Sequence, residues 1–489
     1  MALTKAHNRM IEGAPINVRD YGAKGDGVTD DTAALQAAID ASSEEILDFN
    51  GASFLISSAL TLTNEVKLQN GTLIFTDSSC LRVVQSFVRS DNLTANAGLR
   101  TNTASIADTS AYSVGDIVKI SSTNVWSDDG ALQVTSGEML EILEVTSSTV
   151  LTFASTLNDD YNIADIAKIE LVDSSITDVQ ISNMKLVGSG STGTQNAVVA
   201  ARMKGLKVDG CRIENSGNSG IYLEDVYDFS ITSSSFKGAA NSSQGYAVVS
   251  LSASRWGVVD GNMMSQCRTG YTHGGTSGVG RNLVVSNNSM LGCFTAGVNS
   301  KAASEGLVVS GNHIEGDNTT TGLGDGIRIR GRNAIVSGNS VVNCYRYSIY
   351  TPIYGAVATT FSNVTITGNS VNNAKNIACY IEVNDGNAVK GVVVSGNTFN
   401  HLDDTSTSKG SIHIRCSDGS LDNISVAGNT VSNCPYNCLD VRTSGTGAIA
   451  NYVATANILE RNATAISAAR AAIVTSGPTN TDTTGNVTV

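Results

Sequence analysis

The sequence predicts an all-β chain folded as a single-stranded parallel β-helix, capped by a short N-terminal helix and carrying an inserted antiparallel β-domain. Three observations lead there. First, one phrase recurs: Val309-Ser310-Gly311-Asn312, Val336-Ser337-Gly338-Asn339, Ile366-Thr367-Gly368-Asn369, Val394-Ser395-Gly396-Asn397 and Val426-Ala427-Gly428-Asn429. With the Asn as register mark, equivalent positions fall at 184, 211, 234, 262, 288, 312, 339, 369, 397, 429 and 457. Spacings of this size are the mark of a solenoid. Second, the flanks alternate apolar and polar, as in Ile327-Arg328-Ile329-Arg330, with no helical period between copies, which is strand periodicity. Third, 48 Gly, only 5% aromatic and 15% charged residues, and 41% apolar residues fit many short strands and tight turns rather than disorder.

Stacked coils place each strand ~4.8 Å from its equivalent in the next coil. An Asn column from Asn262 to Asn457 then reads as structural, with side-chain amides bonded along the stack and Asn tolerating the left-handed turn. Cys267, Cys293, Cys344 and Cys434 each follow their register mark by five residues, so they form another stacked column of small buried side chains. The nine cysteines show no metal-ligand spacing, and neither a metal nor a cofactor is expected.

In order, residues 1–15 read as a short head segment and 16–87 as the entry to the helix. Val28 to Asp40 gives a capping helix, with Thr29, Asp30 and Asp31 as its cap and Ala34, Leu35, Ala38 and Ile39 as its apolar stripe. Residues 88–172 lose the register phrase and show hairpin signals at 116–121, 138–145, 150–154 and 167–172, around a tight Ser147-Ser148 turn. They are read as the inserted domain, a small barrel, with Trp126 beside Asp128 and Asp129 as either a sugar-stacking residue or local packing. Coils occupy 173–472, and 473–489 is a Thr/Ser-rich tail expected to be disordered or ordered by a neighbouring chain. A net charge of −13 argues against nucleic acid as a partner, and the opening residues hold no apolar run for membrane insertion or export.

The segment Ile16-Asn17-Val18-Arg19-Asp20-Tyr21-Gly22-Ala23-Lys24-Gly25-Asp26-Gly27 running into Thr29-Asp30-Asp31 resembles the entry motif of pectate-lyase-like right-handed β-helix proteins, especially bacteriophage tailspikes and tail fibres. The opening Met1 to Gly13 looks like their short virion-anchoring heads. The resemblance implies a homotrimer on the virion tail, made in the host cytoplasm and acting at the host cell surface. It also implies attachment to phage tail or adaptor proteins through the N-terminus, and recognition and depolymerisation of a host surface polysaccharide (capsule, exopolysaccharide or O-antigen).

Binding residues in a solenoid are outward members of a strand column. Counting from the register mark gives the outward pairs Arg328/Arg330, Tyr350/Pro352, Tyr380/Glu382, His413/Arg415 and Asp440/Arg442, with inward neighbours such as Ile327, Ile329, Ile412, Ile414, Leu439 and Val441. Arg and Tyr together supply stacking faces and planar donors, suited to sugars and particularly to sugars bearing carboxylates. The plainer alternative is a charge ladder, Glu382 against Arg415 and Asp440 against its neighbours. Longer corners at 238–245, 316–324 and 401–410 would wall this face, the last bringing His401, Asp403 and Asp404. For hydrolysis, Glu382 and Asp440 are the candidate carboxyl pair. For elimination, Tyr350, Tyr380 or His413 is the candidate base, with Arg328, Arg330 and Arg415 neutralising a sugar carboxylate. A non-enzymatic adhesive or structural fibre, and a bacterial polysaccharide lyase or epimerase, are the alternative readings.

Overall fold

The computed structural model describes residues 15–42, 45–128, 133–173, 175–316, 324–353, 360–401, 411–434, 437–461, 473–476, 478–482 and 486–488. The chain divides into two compact units, 1–123 with 136–263 and 124–135 with 264–489.

In the first unit the cap forms as the sequence predicts, with one change of roles. Helix α1 spans Thr32–Asp40 and buries Leu35, Ala38 and Ile39. Its side-chain cap is Asp30, which accepts from the Thr32 amide at 3.0 Å. Asp31 instead accepts from the amides of Lys24 and Gly25 at 2.7 and 2.9 Å, tying down the Gly-Asp-Gly turn. Strands 67–75, 177–187, 196–209 and 219–232 then stack in parallel, each pairing in register with the same strand of an adjacent coil.

The inserted domain is a six-stranded antiparallel sheet in the spatial order 87–92, 168–172, 117–128, 133–147, 150–153, 103–105. A further antiparallel bridge, Leu93 to Ile106, joins its two edge strands, so the sheet closes into a small barrel around Ile120, Leu140, Phe153, Tyr161 and Ile169. The hairpin across Ser147 and Val150 is the one the sequence predicts. Ion pairs buried between barrel and coils fix the domain in place. The Lys119 ammonium lies 2.9 Å from both Asp225 oxygens, and Arg255 donates to Glu138 at 3.0 Å. Glu138 also accepts from the Tyr161 hydroxyl and from Asn158. With every carboxylate position engaged, these charges avoid the penalty of an unpaired buried ion.

In the second unit each coil contributes three strands. One ends on the phrase (308–310, 335–337, 360–367, 388–395, 420–427, 448–455), a second follows it, and a third comes after a corner (296–300, 325–329, 347–353, 377–383, 412–416, 439–443). All pair in parallel with their equivalents. The Asn column is continuous from Asn288 to Asn486. Each amide nitrogen donates to the next amide oxygen at 2.7–2.9 Å, and that oxygen also accepts the preceding Asn backbone N–H. The left-handed residue is not this Asn but the one before it: Gly311, Gly338, Gly368, Gly396 and Gly428 have φ between 63° and 65°. Asn287 and Ala456 hold that place in their own copies. Glycine takes this conformation without a Cβ clash, which leaves the Asn side chain to do the bonding. The four cysteines of the stacked column are buried, as are the other five. The segments 473–476, 478–482 and 487–488 are strands that pair with the preceding coil of their own chain.

Trp126 belongs to this unit. It is 4% exposed and packs on Val134, Val279 and Ala303, with the Arg332 guanidinium 3.9 Å over its ring. Such burial removes it as a sugar platform.

Candidate functional site

The third strands of the second unit carry the Arg/Tyr column, and their register is the one counted from the phrase. Arg328 pairs with Tyr350, Tyr350 with Tyr380, Tyr380 with His413 and His413 with Asp440. The adjacent column runs Pro352, Glu382, Arg415, Arg442. Inward neighbours Ile327, Ile412, Ile414, Leu439 and Val441 are fully buried. Strict alternation in each strand, set by β-branched residues on the core side, keeps these two columns on the opposite face.

The two columns differ in depth. The first is a floor: Arg328 is 9% exposed, Tyr350 7%, His413 4%, Tyr380 1% and Asp440 0%. Tyr350 and Tyr380 stack with ring centroids 5.2 Å apart and planes 11° from parallel, and the His413 ring packs against Tyr380 at 4.9 Å, tilted by 52°. One coil pitch is close to aromatic stacking distance, so each ring covers the next. The second column is the rim, where Arg415 and Arg442 are 41% and 43% exposed. Arg330, two residues beyond Arg328, is half-buried and its backbone N–H donates to Ser300 at 3.2 Å.

Three residues that strand parity does not assign complete the site. Asp325 is fully buried and holds two guanidiniums, accepting from Arg328 Nε at 2.8 Å and from Arg346 Nε and a terminal nitrogen at 2.8 and 2.6 Å. Burial pushes its carboxyl up to about 6 against the pull of Arg346, so it remains ionised at neutral pH. Arg346 in turn lies 5.0 Å over the Tyr347 ring, and Tyr347 packs on Tyr350 at 4.4 Å and Tyr380 at 5.2 Å. Asp325 and Tyr347 are the first residues of their strands, and Arg346 sits immediately before its strand. Period-two alternation does not reach these corners. The signal available was opposite charge one residue out of register at the corners of successive coils, Asp325 being the equivalent of Tyr347.

The candidate acids and bases are all internally engaged. Glu382 Oε2 accepts from the Tyr350 hydroxyl at 2.8 Å, and Oε1 lies 3.8 Å from Arg415. Asp440 is bridged by His413 Nδ1 at 3.2 Å and Arg442 Nε at 2.5 Å. Burial raises the Asp440 carboxyl, but His413 and Arg442 outweigh it and hold the group below its usual range. Burial and the neighbouring Glu382 push the Tyr380 hydroxyl far up, so it stays a neutral donor. Glu382 and Asp440 lie two coils and two residues apart, ~12 Å between Cα atoms from strand spacing and rise. His413 and Arg415 occupy the coil between them. His401 is buried, with Nε2 3.0 Å from the Ser411 hydroxyl. Asp403 and Asp404 lie outside the described residues.

The arrangement presents the partly exposed Tyr347 ring and the exposed Arg415 and Arg442 guanidiniums above buried counter-charges, stacked rings and one carboxylate-held imidazole. It is equipped to bind a planar-faced polar chain.

Residues 196–352 match the family described as right handed beta helix region. No curated protein sequence matches the chain. Among solved structures, it is similar to the tailspike gp49 of Pseudomonas phage LKA1 (17% identity, TM-score 0.69, 94% of this chain and 83% of that one). It is also similar to the gp54 tailspike of Acinetobacter baumannii bacteriophage AP22, determined in complex with A. baumannii capsular saccharide (14%, 0.61, 97% and 70%). A third is the Pseudomonas phage phi297 tailspike gp61 (15%, 0.59, 91% and 73%). The fold is that of a right-handed parallel β-helix, the one these tailspikes share.

Proposed function

We propose that this chain is a phage tailspike, a receptor-binding protein that holds a host surface polysaccharide on the Tyr/Arg face of its C-terminal coils. The observation that carries the reading is the register-continuous column from Arg328 through Tyr350, Tyr380 and His413 to Asp440, with Arg346, Tyr347, Arg415 and Arg442 above it. The buried rings of the column hold the partly exposed Tyr347 ring in place, where a sugar can stack on it, and the guanidiniums above bond to hydroxyls and carboxylates. Support also comes from the tailspikes of the same fold, one of them holding a capsular saccharide.

The same reading makes the protein a homotrimer on the phage tail, mounted through its N-terminal head or adaptor proteins. The sheet that ends on the phrase supplies a face for a copy of the chain. Val284, Val308, Ile335, Thr365, Val393, Ser425 and Val453 form one outward column. Beside it runs the column from Ser286 to Thr455, and neither holds a charge in a chain of net charge −13. Two copies can therefore meet there without repulsion.

Depolymerisation assigns Glu382 and Asp440 as the carboxyl groups, or His413, oriented by Asp440, as the base. The adhesive reading is favoured by one observation: Asp440 and His413 lie in the buried floor and are paired to each other. A single assay separates the two. Purified protein is incubated with host capsule or O-antigen, and binding, reducing ends and ultraviolet absorbance are recorded. Reducing ends alone identify hydrolysis, added absorbance identifies elimination, and binding without product identifies an adhesin. Tyr347→Ala, which removes a half-exposed ring, weakens binding at least about tenfold. Unchanged binding in that variant, or no polysaccharide bound by the wild type, overturns the proposal.

A further inference from the structure

Resting on the polysaccharide-binding reading above, we infer that Arg415 and Arg442 form an anion subsite for the carboxylate of an acidic sugar residue, so that the recognised glycan is a uronate-type polymer. The two arginines are register partners on adjacent strands, which sets their backbones ~4.8 Å apart. Both are more than two-fifths exposed. Like charges at directly opposed strand positions repel, so the pairing is favourable only when anions compensate it.

The protein's own anions compensate it from below. Asp440 is fully buried and bonds the Arg442 Nε–H, while the Arg442 side chain as a whole stays 43% exposed. Glu382 is 15% exposed, and its Oε2 is taken by the Tyr350 hydroxyl. Its other oxygen lies 3.8 Å from Arg415, beyond hydrogen-bond distance. A simple neutralising ladder would pair each charge at the surface and leave both signs equally accessible. Here Asp440 and Glu382 are 0% and 15% exposed while Arg415 and Arg442 are 41% and 43% exposed, so at these two coils the face presents positive potential on a chain with net charge −13. Among the described residues of this site, five guanidiniums, of Arg328, Arg330, Arg346, Arg415 and Arg442, face the three carboxylates of Asp325, Glu382 and Asp440. A planar carboxylate bridging two guanidiniums matches that geometry, and the partly exposed Tyr347 ring takes an uncharged face of the sugar chain.

The test uses the surface polysaccharide of a host strain, native and after carbodiimide activation and borohydride reduction of its carboxylates. Affinities for both are measured with the full-length wild type and with Arg415→Gln and Arg442→Gln, whose side chains are exposed enough that the fold is kept; an unchanged melting profile verifies this. The expected result is that reduction weakens wild-type binding about tenfold or more. Each variant should lose a comparable factor on the native polymer and nothing further on the reduced one. Equal binding of native and reduced polymer by the wild type overturns the anion subsite while leaving polysaccharide binding intact. Equal losses on both polymers in the variants overturn it too, because the arginines would then act on something other than the carboxylate. If neither polymer binds, this inference and the functional reading fall together.

Discussion

Asp325→Ala tests whether the buried carboxylate that strand parity overlooks supports the whole face. In the folded chain Asp325 is fully buried and holds Arg328, whose side chain is 10% exposed, through contacts of 2.8 and 2.5 Å. Removing the carboxylate leaves that guanidinium buried without its counter-charge, which costs about 3–5 kcal/mol. Arg346 is 27% exposed and can turn to water, so its share is small, about 0–1 kcal/mol. The expected loss is therefore set by Arg328, about 3–5 kcal/mol. Asp325→Asn keeps an acceptor of the same shape without the charge and should fall between, at roughly 1–3 kcal/mol. Arg328→Met placed on top of Asp325→Ala removes the orphaned charge and should recover part of the loss. Denaturant unfolding of the four proteins at one concentration measures these differences. Polysaccharide affinity, measured in parallel, should fall with Asp325→Ala because Arg346 no longer holds Tyr347 against Tyr350. An Ala variant within about 1 kcal/mol of wild type, or a double variant no better than the single one, refutes the reasoning.

Other consequences reach the scaffold. Ala456 holds φ 53° where Gly261, Gly311, Gly338, Gly368, Gly396 and Gly428 stand in other copies, so Ala456→Gly should raise the unfolding free energy by up to about 1 kcal/mol. Gly338→Ala, with open space around the added Cβ, should lower it by a similar amount through the backbone alone. His273 is buried, with Nε2 2.9 Å from the Ala303 carbonyl, and burial pushes its imidazole down to about 4. The unfolded chain then binds a proton between pH 6.5 and 4 that the folded chain does not. Stability should fall over that window by about 3 kcal/mol, and His273→Gln should remove this slope in pH-dependent denaturation. Asp225→Ala strands the Lys119 ammonium beneath the inserted barrel and should cost about 3–5 kcal/mol, read as a lower thermal midpoint.

Most of the fold was legible because a solenoid repeats its instructions. The Asn column, its alternating flanks and the inward Ile, Leu and Val positions lie where counting from the phrase puts them. Asn486 escaped notice because Thr484-Gly485-Asn486 lacks the apolar residues that make the phrase recognisable. The left-handed conformation was credited to the Asn when the adjacent Gly supplies it, since composition shows a turn without showing which residue bends. In the site, parity was enough for residues inside strands and failed at the corners. Tyr347 shares the parity of the inward Ile349 yet packs on Tyr350 and Tyr380. Depth was also illegible. Parity separates core from exterior, but it cannot say that Tyr380 is covered by its own neighbours while Arg415 is not.

Those two levels have different freedom to change. A floor residue such as Tyr380 touches Tyr347, Tyr350 and His413 at once, so altering it disturbs several coils, and the register that places it is fixed by the Asn ladder on another part of each coil. A rim residue such as Arg442 is bonded to a buried carboxylate and otherwise meets solvent. Replacing it changes the face without moving a strand. Selection for a new glycan would therefore act first on the rim and the corners. The stacked floor would persist as the support on which the rim is built, and its persistence beneath a changed rim is what variants selected for a different polysaccharide should show.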